Sequence, residues 1–124
     1  MQVNGTDIRV ITGDLTDMDV EAIVFYAEDN LKLGSGFGNA VTMRGGPSIQ
    51  EELKELAPLK PLHAVVSAAG NLKAKHIVHV NGPKFQERDL EGKLRTAIFN
   101  TLQAAEEKGI KHLAFPPMGA GFYG

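Results

Sequence analysis

Two glycine-rich stretches hold the residues best suited to chemistry. Gly34-Ser35-Gly36-Phe37-Gly38-Asn39 precedes a predicted helix, and Gly119-Ala120-Gly121-Phe122-Tyr123-Gly124 follows a predicted strand. Glycine lets backbone amides approach a ligand with no Cβ in the way, and a helix amino terminus adds partial positive charge. Each stretch taken alone also fits an ordinary connection; the two together suit a diphosphate cradled by backbone N–H groups. Neither is followed by Gly-Lys-Ser/Thr, so the spacing does not fit a P-loop. Asp14 could accept a hydrogen bond from an exocyclic amine such as the N6 of adenine, although its spacing alone favours a turn or cap role. Phe37, Phe122 and Tyr123 beside glycines could line a ribose, or simply pack. His76 and His79 lie three apart on a predicted strand and face opposite ways, so they are read as structural and no metal site is expected. Gln50-Glu51-Glu52 and Glu106-Glu107-Lys108 read as solvated helix faces.

Those residues need elements to hold them. Ile8 to Ile11 is a short β-branched run closed by Thr12-Gly13-Asp14. Ala22 to Ala27 is a continuous apolar run of strand length, the pattern of a strand buried on both faces, and Glu28-Asp29-Asn30 ends it. A loop enters a helix near Asn39 to Met43. A second helix starts at Pro47 and carries Ile49, Leu53 and Leu56 on one face. Ala64 to Ala69 and His76 to Val80 are two further strands, broken by Gly70-Asn71 and Gly82-Pro83. Asp89 is placed as the cap of a helix bearing Leu90, Leu94, Ile98, Leu102 and Ala105, with Gly109 as its stop. His112 to Phe115 is a last strand. Strands alternating with amphipathic helices predict an α/β domain of three layers, α/β/α, around a mixed, mostly parallel sheet. Such sheets bind ligands beyond the carboxyl ends of their strands, which puts Asp14, residues 28–37 and the terminal glycine loop on one rim.

Composition narrows the function classes. At 124 residues the chain suits one domain spanning 1–124. A formal net charge of −2 supplies no basic field for nucleic acid. There is no cysteine, which excludes disulfides and thiolate chemistry and points to a reducing cytoplasm. No apolar stretch approaches the ~20 residues of a membrane helix, and residues 1–7 lack the features of a secretion signal.

The motifs resemble one family. Gly13-Asp14-Leu15-Thr16 followed by Ala22-Ile23-Val24 is similar to the macrodomain opening, GDIT then VDAIVNAAN. Gly34-Ser35-Gly36-Phe37 resembles its first glycine loop, and Gly46-Pro47 with Glu52 resembles the helix after it. Gly70 to His79 resembles GYNL-AKYVIH, and Ala114 to Gly124 resembles AFPAISTGIYG, the second loop. The resemblance implies ADP-ribose as ligand, with no cofactor. Asp14 would face the adenine amine and Leu15 the ring. Gly34, Ser35, Gly36, Phe37 and Gly38 would form the first loop, and Gly119, Ala120, Gly121, Phe122 and Tyr123 would cradle the phosphates and distal ribose.

Three departures shape the expected activity. NAAN aligns with Phe25-Tyr26-Ala27-Glu28, so Glu28 stands where hydrolytic members carry the ribose-contacting asparagine. The aspartate of the family's VDG motif, implicated in ester cleavage, aligns with Gly38. After the second loop the family continues into a further helix and strand, which this sequence lacks; a weaker site, or one completed by another chain, is the expectation. Gln50-Glu51-Glu52 is similar to the QEE of poly-ADP-ribose glycohydrolases but lies too far from Gly36, and is taken as coincidence. The leading expectation is a binding module for ADP-ribose or an ADP-ribosylated protein. Next comes a hydrolase of ADP-ribosyl or O-acetyl-ADP-ribose esters that uses Glu28 or a substrate-bound water. Binding of poly-ADP-ribose or RNA stands last, because no aromatic-basic strip is present.

Overall fold

The computed structural model describes residues 2–3, 6–7, 13–34, 36–84 and 87–116. It opens with a two-stranded antiparallel ribbon, β1 (Gln2–Val3) and β2 (Thr6–Asp7), which sequence patterning did not anticipate. The predicted strand Ile8 to Ile11 lies outside the described residues, as do Ser35 and the second glycine loop. A one-turn 3-10 helix (Leu15–Asp17) leads to β3 (Ala22–Tyr26). Helices α1 (Phe37–Gly45) and α2 (Ser48–Leu56) follow, then strands β4 (Ala64–Ala68) and β5 (His76–Val80). A long helix, α3 (Leu90–Glu107), precedes the two-residue strand β6 (Leu113–Ala114).

The main sheet has the order β4-β5-β3-β6, with β3 parallel to both β5 and β6 and β4 antiparallel to β5. Only seven residues, 69–75, join β4 to β5. A parallel crossover needs about a dozen or more, so this pair must be antiparallel. Alternation along β3 divides the core: Ile23 and Phe25 join Val41, Ile49 and Leu53 on the side of α1 and α2. Ala22 and Val24 join Val78, Val80, Ala97 and Ala105 on the side of α3. Both faces of β3 are therefore covered, which is why its sequence is continuously apolar rather than alternating. The result is the expected α/β/α layering. Among the described residues no helix is long and apolar enough to cross a membrane.

Three expectations about side chains are corrected. Asp89 occupies the cap position of α3, but it sits in the left-handed region at φ 51° and its side chain makes no cap hydrogen bond. Leu102 is 47% exposed, and the buried stripe of α3 runs through Ala97, Thr101 and Ala105. A spacing of four advances about 40° around a helix at each step, so the series begun at Leu90 has rotated off the sheet by Leu102. Small residues line the stripe because α3 lies directly on β4 and β5. Finally, Gln50 and Glu52 are half-buried and paired with backbone rather than freely solvated: Glu52 Oε1 accepts from the Ala68 amide at 3.0 Å, and Gln50 bonds Leu31 and Leu33 in the segment before α1. Glu51, Glu106, Glu107 and Lys108 are exposed as expected.

Candidate ligand-binding site

The parallel strands β3 and β5 end side by side, and the chain leaving β3 is tied down at once. The Ala27 amide donates to Val80 O at 2.7 Å, and the Leu59 amide donates to Asp29 O at 2.8 Å. The Asn81 side-chain amide donates to Asp29 Oδ1 at 2.7 Å. Glu28 lies between those anchors, exposed, with its carbonyl accepting from the Leu31 amide at 3.0 Å. Leu31 then turns through φ 58°, a conformation unfavourable for a side chain with a Cβ, and is held there by burial to 1% exposure.

Gly34 (φ 69°) and Gly36 (φ 62°) carry the loop into α1 through backbone angles that other residues rarely adopt. Gly36 caps the helix without any side-chain hydrogen bond, and the first turn holds no acidic residue. The first bond of the helix runs from the Ala40 amide to Gly36 O, 3.1 Å. The amides of Phe37, Gly38 and Asn39 therefore have no partner within the helix, and the positive end of its dipole carries no carboxylate. Gly38 is buried: a Cβ built on it would lie 1.6 Å from the carbonyl oxygen of Leu33. The loop backbone thus fills the space in which a side chain at position 38 would stand.

Asp14 lies near the other end of α1. Its Oδ1 accepts from the Thr16 amide at 2.9 Å and the Thr16 hydroxyl at 2.7 Å, and its Oδ2 meets the Arg44 guanidinium at 3.0 Å. The Thr16 hydroxyl above all, then the Thr16 amide and Arg44, hold its carboxyl below the usual aspartate range. The cap role and an exposed, charged carboxylate coexist in this residue. Eight residues of helix between Gly36 and Arg44 amount to about 12 Å, so a ligand touching both the glycine loop and Asp14 must be extended. Leu15 is half-buried against the core beside it. Arg44 was not singled out from the sequence, although it is the one cation on this short helix.

Phe37 packs on Phe25, ring centroids 5.4 Å apart, and Phe25 in turn forms a T-shaped pair with His79, centroids 5.8 Å apart. Phe37 is only half-buried, so one ring both braces α1 and borders the loop. His79 is fully buried and its Nε2 lies 2.8 Å from Ser67 Oγ. Tyr26 donates its hydroxyl to Pro83 O, tying the end of β3 to the segment after β5. A hollow of about 320 Å³ opens beside Asp29, lined by Leu62, Asn81, Lys84, Glu87 and Lys93 among others. It does not include the glycine loop. No cluster of three or more metal-ligating side chains occurs among the described residues.

Comparison with known proteins matches this architecture. Residues 26–124 match the Macro domain family. A macro domain-containing protein of Caldanaerobacter subterraneus subsp. tengcongensis is 39% identical over 94% of this chain, which spans 70% of that relative. The O-acetyl-ADP-ribose deacetylase of Enterobacter sp. is 37% identical over 94% of this chain, which spans 68% of it. The solved macrodomain of Trypanosoma brucei in complex with ADP is 25% identical, with a TM-score of 0.81 over 90% of this chain. This chain spans about half, 47%, of that structure. By sequence match over most of its length and by likeness to a solved macrodomain, the chain belongs to the Macro domain family.

Proposed function

We propose that this protein binds ADP-ribose, free or attached to a protein, and breaks no bond in it. The observation that carries the reading is the amino terminus of α1, presented by Gly34 and Gly36 at the carboxyl ends of parallel strands with no capping side chain and no acid. That arrangement suits a diphosphate. Asp14, paired with Arg44 from the last turn of the same helix, is charged and suited to accept from the adenine amine, with Leu15 beside the ring. Glu28 offers a carboxylate to the distal ribose hydroxyls, and Ser35 with Gly119, Ala120, Gly121, Phe122 and Tyr123 would complete the clamp. The solved relative bound to ADP supports a ligand of this chemistry. Calorimetry with ADP-ribose tests the reading; no heat at millimolar ligand would remove it. Asp14→Ala should weaken binding about tenfold or more, the scale of one hydrogen bond to a charged group.

A second reading is hydrolysis of an ADP-ribosyl or O-acetyl-ADP-ribose ester. The relative named as a deacetylase and the exposed carboxylate of Glu28 favour it. In that reaction Glu28 would accept a proton from the attacking water while the ester bond breaks. Release of acetate from O-acetyl-ADP-ribose that falls about a hundredfold in Glu28→Gln would establish it. Equal turnover by both proteins would exclude Glu28 from the chemistry, and no turnover by either would leave binding alone.

A further inference from the structure

We infer that Gln50, on α2, is the positioning residue of the glycine loop, an inference that rests on the ADP-ribose reading of that loop. Its Oε1 accepts from the Leu33 amide at 3.0 Å and its Nε2 donates to Leu31 O at 3.1 Å. One side-chain amide thereby pairs with the backbone on both sides of Lys32, as a neighbouring strand would. The segment needs such a partner. Leu31 is held in the left-handed region and Leu33 is 5% exposed, so both side chains point into the core while Lys32 stays outside. Without Gln50 the Leu33 amide would be buried with no acceptor and the strained turn at Leu31 would lose its tether.

The position of Leu33 is passed directly to the site. Its carbonyl oxygen lies where a Cβ of Gly38 would be, in contact with the first turn of α1. Fixing Leu33 therefore fixes both ends of the span Gly34 to Gly36. Gln50 does not itself border the loop glycines: it acts through Leu31 and Leu33. The chemistry requires glutamine, because the two backbone partners call for one acceptor and one donor on the same planar group. A glutamate there would set a carboxylate against the Leu31 carbonyl, and a methionine would keep the length while losing both bonds. Loosening the loop lowers the fraction of molecules ready to bind, and affinity falls by that fraction.

The test compares Gln50→Met and Gln50→Glu with the unaltered protein by calorimetry against ADP-ribose, by thermal unfolding, and by hydrogen exchange followed peptide by peptide. Both variants should bind ADP-ribose about tenfold more weakly, and exchange faster in residues 31–38, with exchange in β3 and β5 unchanged. Undiminished affinity in both variants would overturn the inference. So would faster exchange spread across the sheet, which would mark Gln50 as a general structural contact. If the unaltered protein does not bind ADP-ribose, the proposed function fails, and exchange confined to residues 31–38 still decides whether Gln50 positions the loop.

Discussion

Gly38→Ala is expected to destabilise the protein by about 3 kcal/mol, and Gly38→Asp by at least as much. The added Cβ would stand 1.6 Å from Leu33 O and 2.5 Å from Leu33 C. Those atoms are backbone, so no flexible side-chain end can swing aside. Leu33 would have to move, and its amide is bonded to Gln50 while its side chain is buried. Overpacking of this kind costs roughly 1–3 kcal/mol, and each lost loop hydrogen bond adds about 1 kcal/mol. Urea unfolding at neutral pH measures the difference; a change below about 1 kcal/mol would show that the loop lifts off α1 at little cost. The substitution bears on function as well. In the resemblance read from the sequence, Gly38 stands where hydrolytic macrodomains carry the aspartate tied to ester cleavage, so an aspartate placed here is expected to unseat the loop rather than confer hydrolysis.

Acidification is expected to remove about 3 kcal/mol of stability between pH 6.5 and 4 through His79 alone. Ser67 donates its hydroxyl to Ala68 O, so its oxygen accepts from His79 Nε2–H, and the buried Nδ1 has no partner among the described residues. Burial in this apolar layer lowers the histidine pKa from 6.5 to about 4. A histidine held neutral in the folded state binds its proton in the unfolded state first. The contribution is therefore complete above pH 6.5 and is lost as the pH falls toward 4. Asp14 and Glu87 act in the same direction at lower pH, since Thr16 and the Lys84 amide respectively hold their carboxyls below the usual range. Chemical denaturation of the unaltered protein and of His79→Leu from pH 7.5 to 4.5 checks the assignment. The variant should lose most of the slope in that interval, and an identical slope would place the acid sensitivity elsewhere.

Much of the fold was legible because its signals are local. The apolar run at Ala22 to Tyr26, the helical spacing of Ile49 and Leu53, and the stop at Gly109 each reside in a few consecutive residues. Asp14 illustrates the limit: spacing identified a polar turn, but its Arg44 partner lies thirty residues on and belongs to a different helix. Gln50 read as surface because a helix face carrying Gln-Glu-Glu ordinarily is surface. Its bonds reach residues 17 and 19 positions earlier in the chain, and no periodicity records a contact at that range. Leu102 misled for the related reason that a spacing of four is helical but drifts around the axis.

The sequence by itself determined the layered α/β class, the membership of its motifs in one family, and the presence of glycine where α1 begins. Glycine spacing and hydrophobic pattern are backbone properties, written into neighbouring residues. Tertiary structure alone decided that Gly38 is a steric necessity beneath Leu33 and that a glutamine on α2 holds the loop. It also decided that the buried histidine of β5 carries a nitrogen with no partner among the described residues. Each of these depends on atoms brought together by packing from distant parts of the chain, where a distance of an ångström decides what a residue can be.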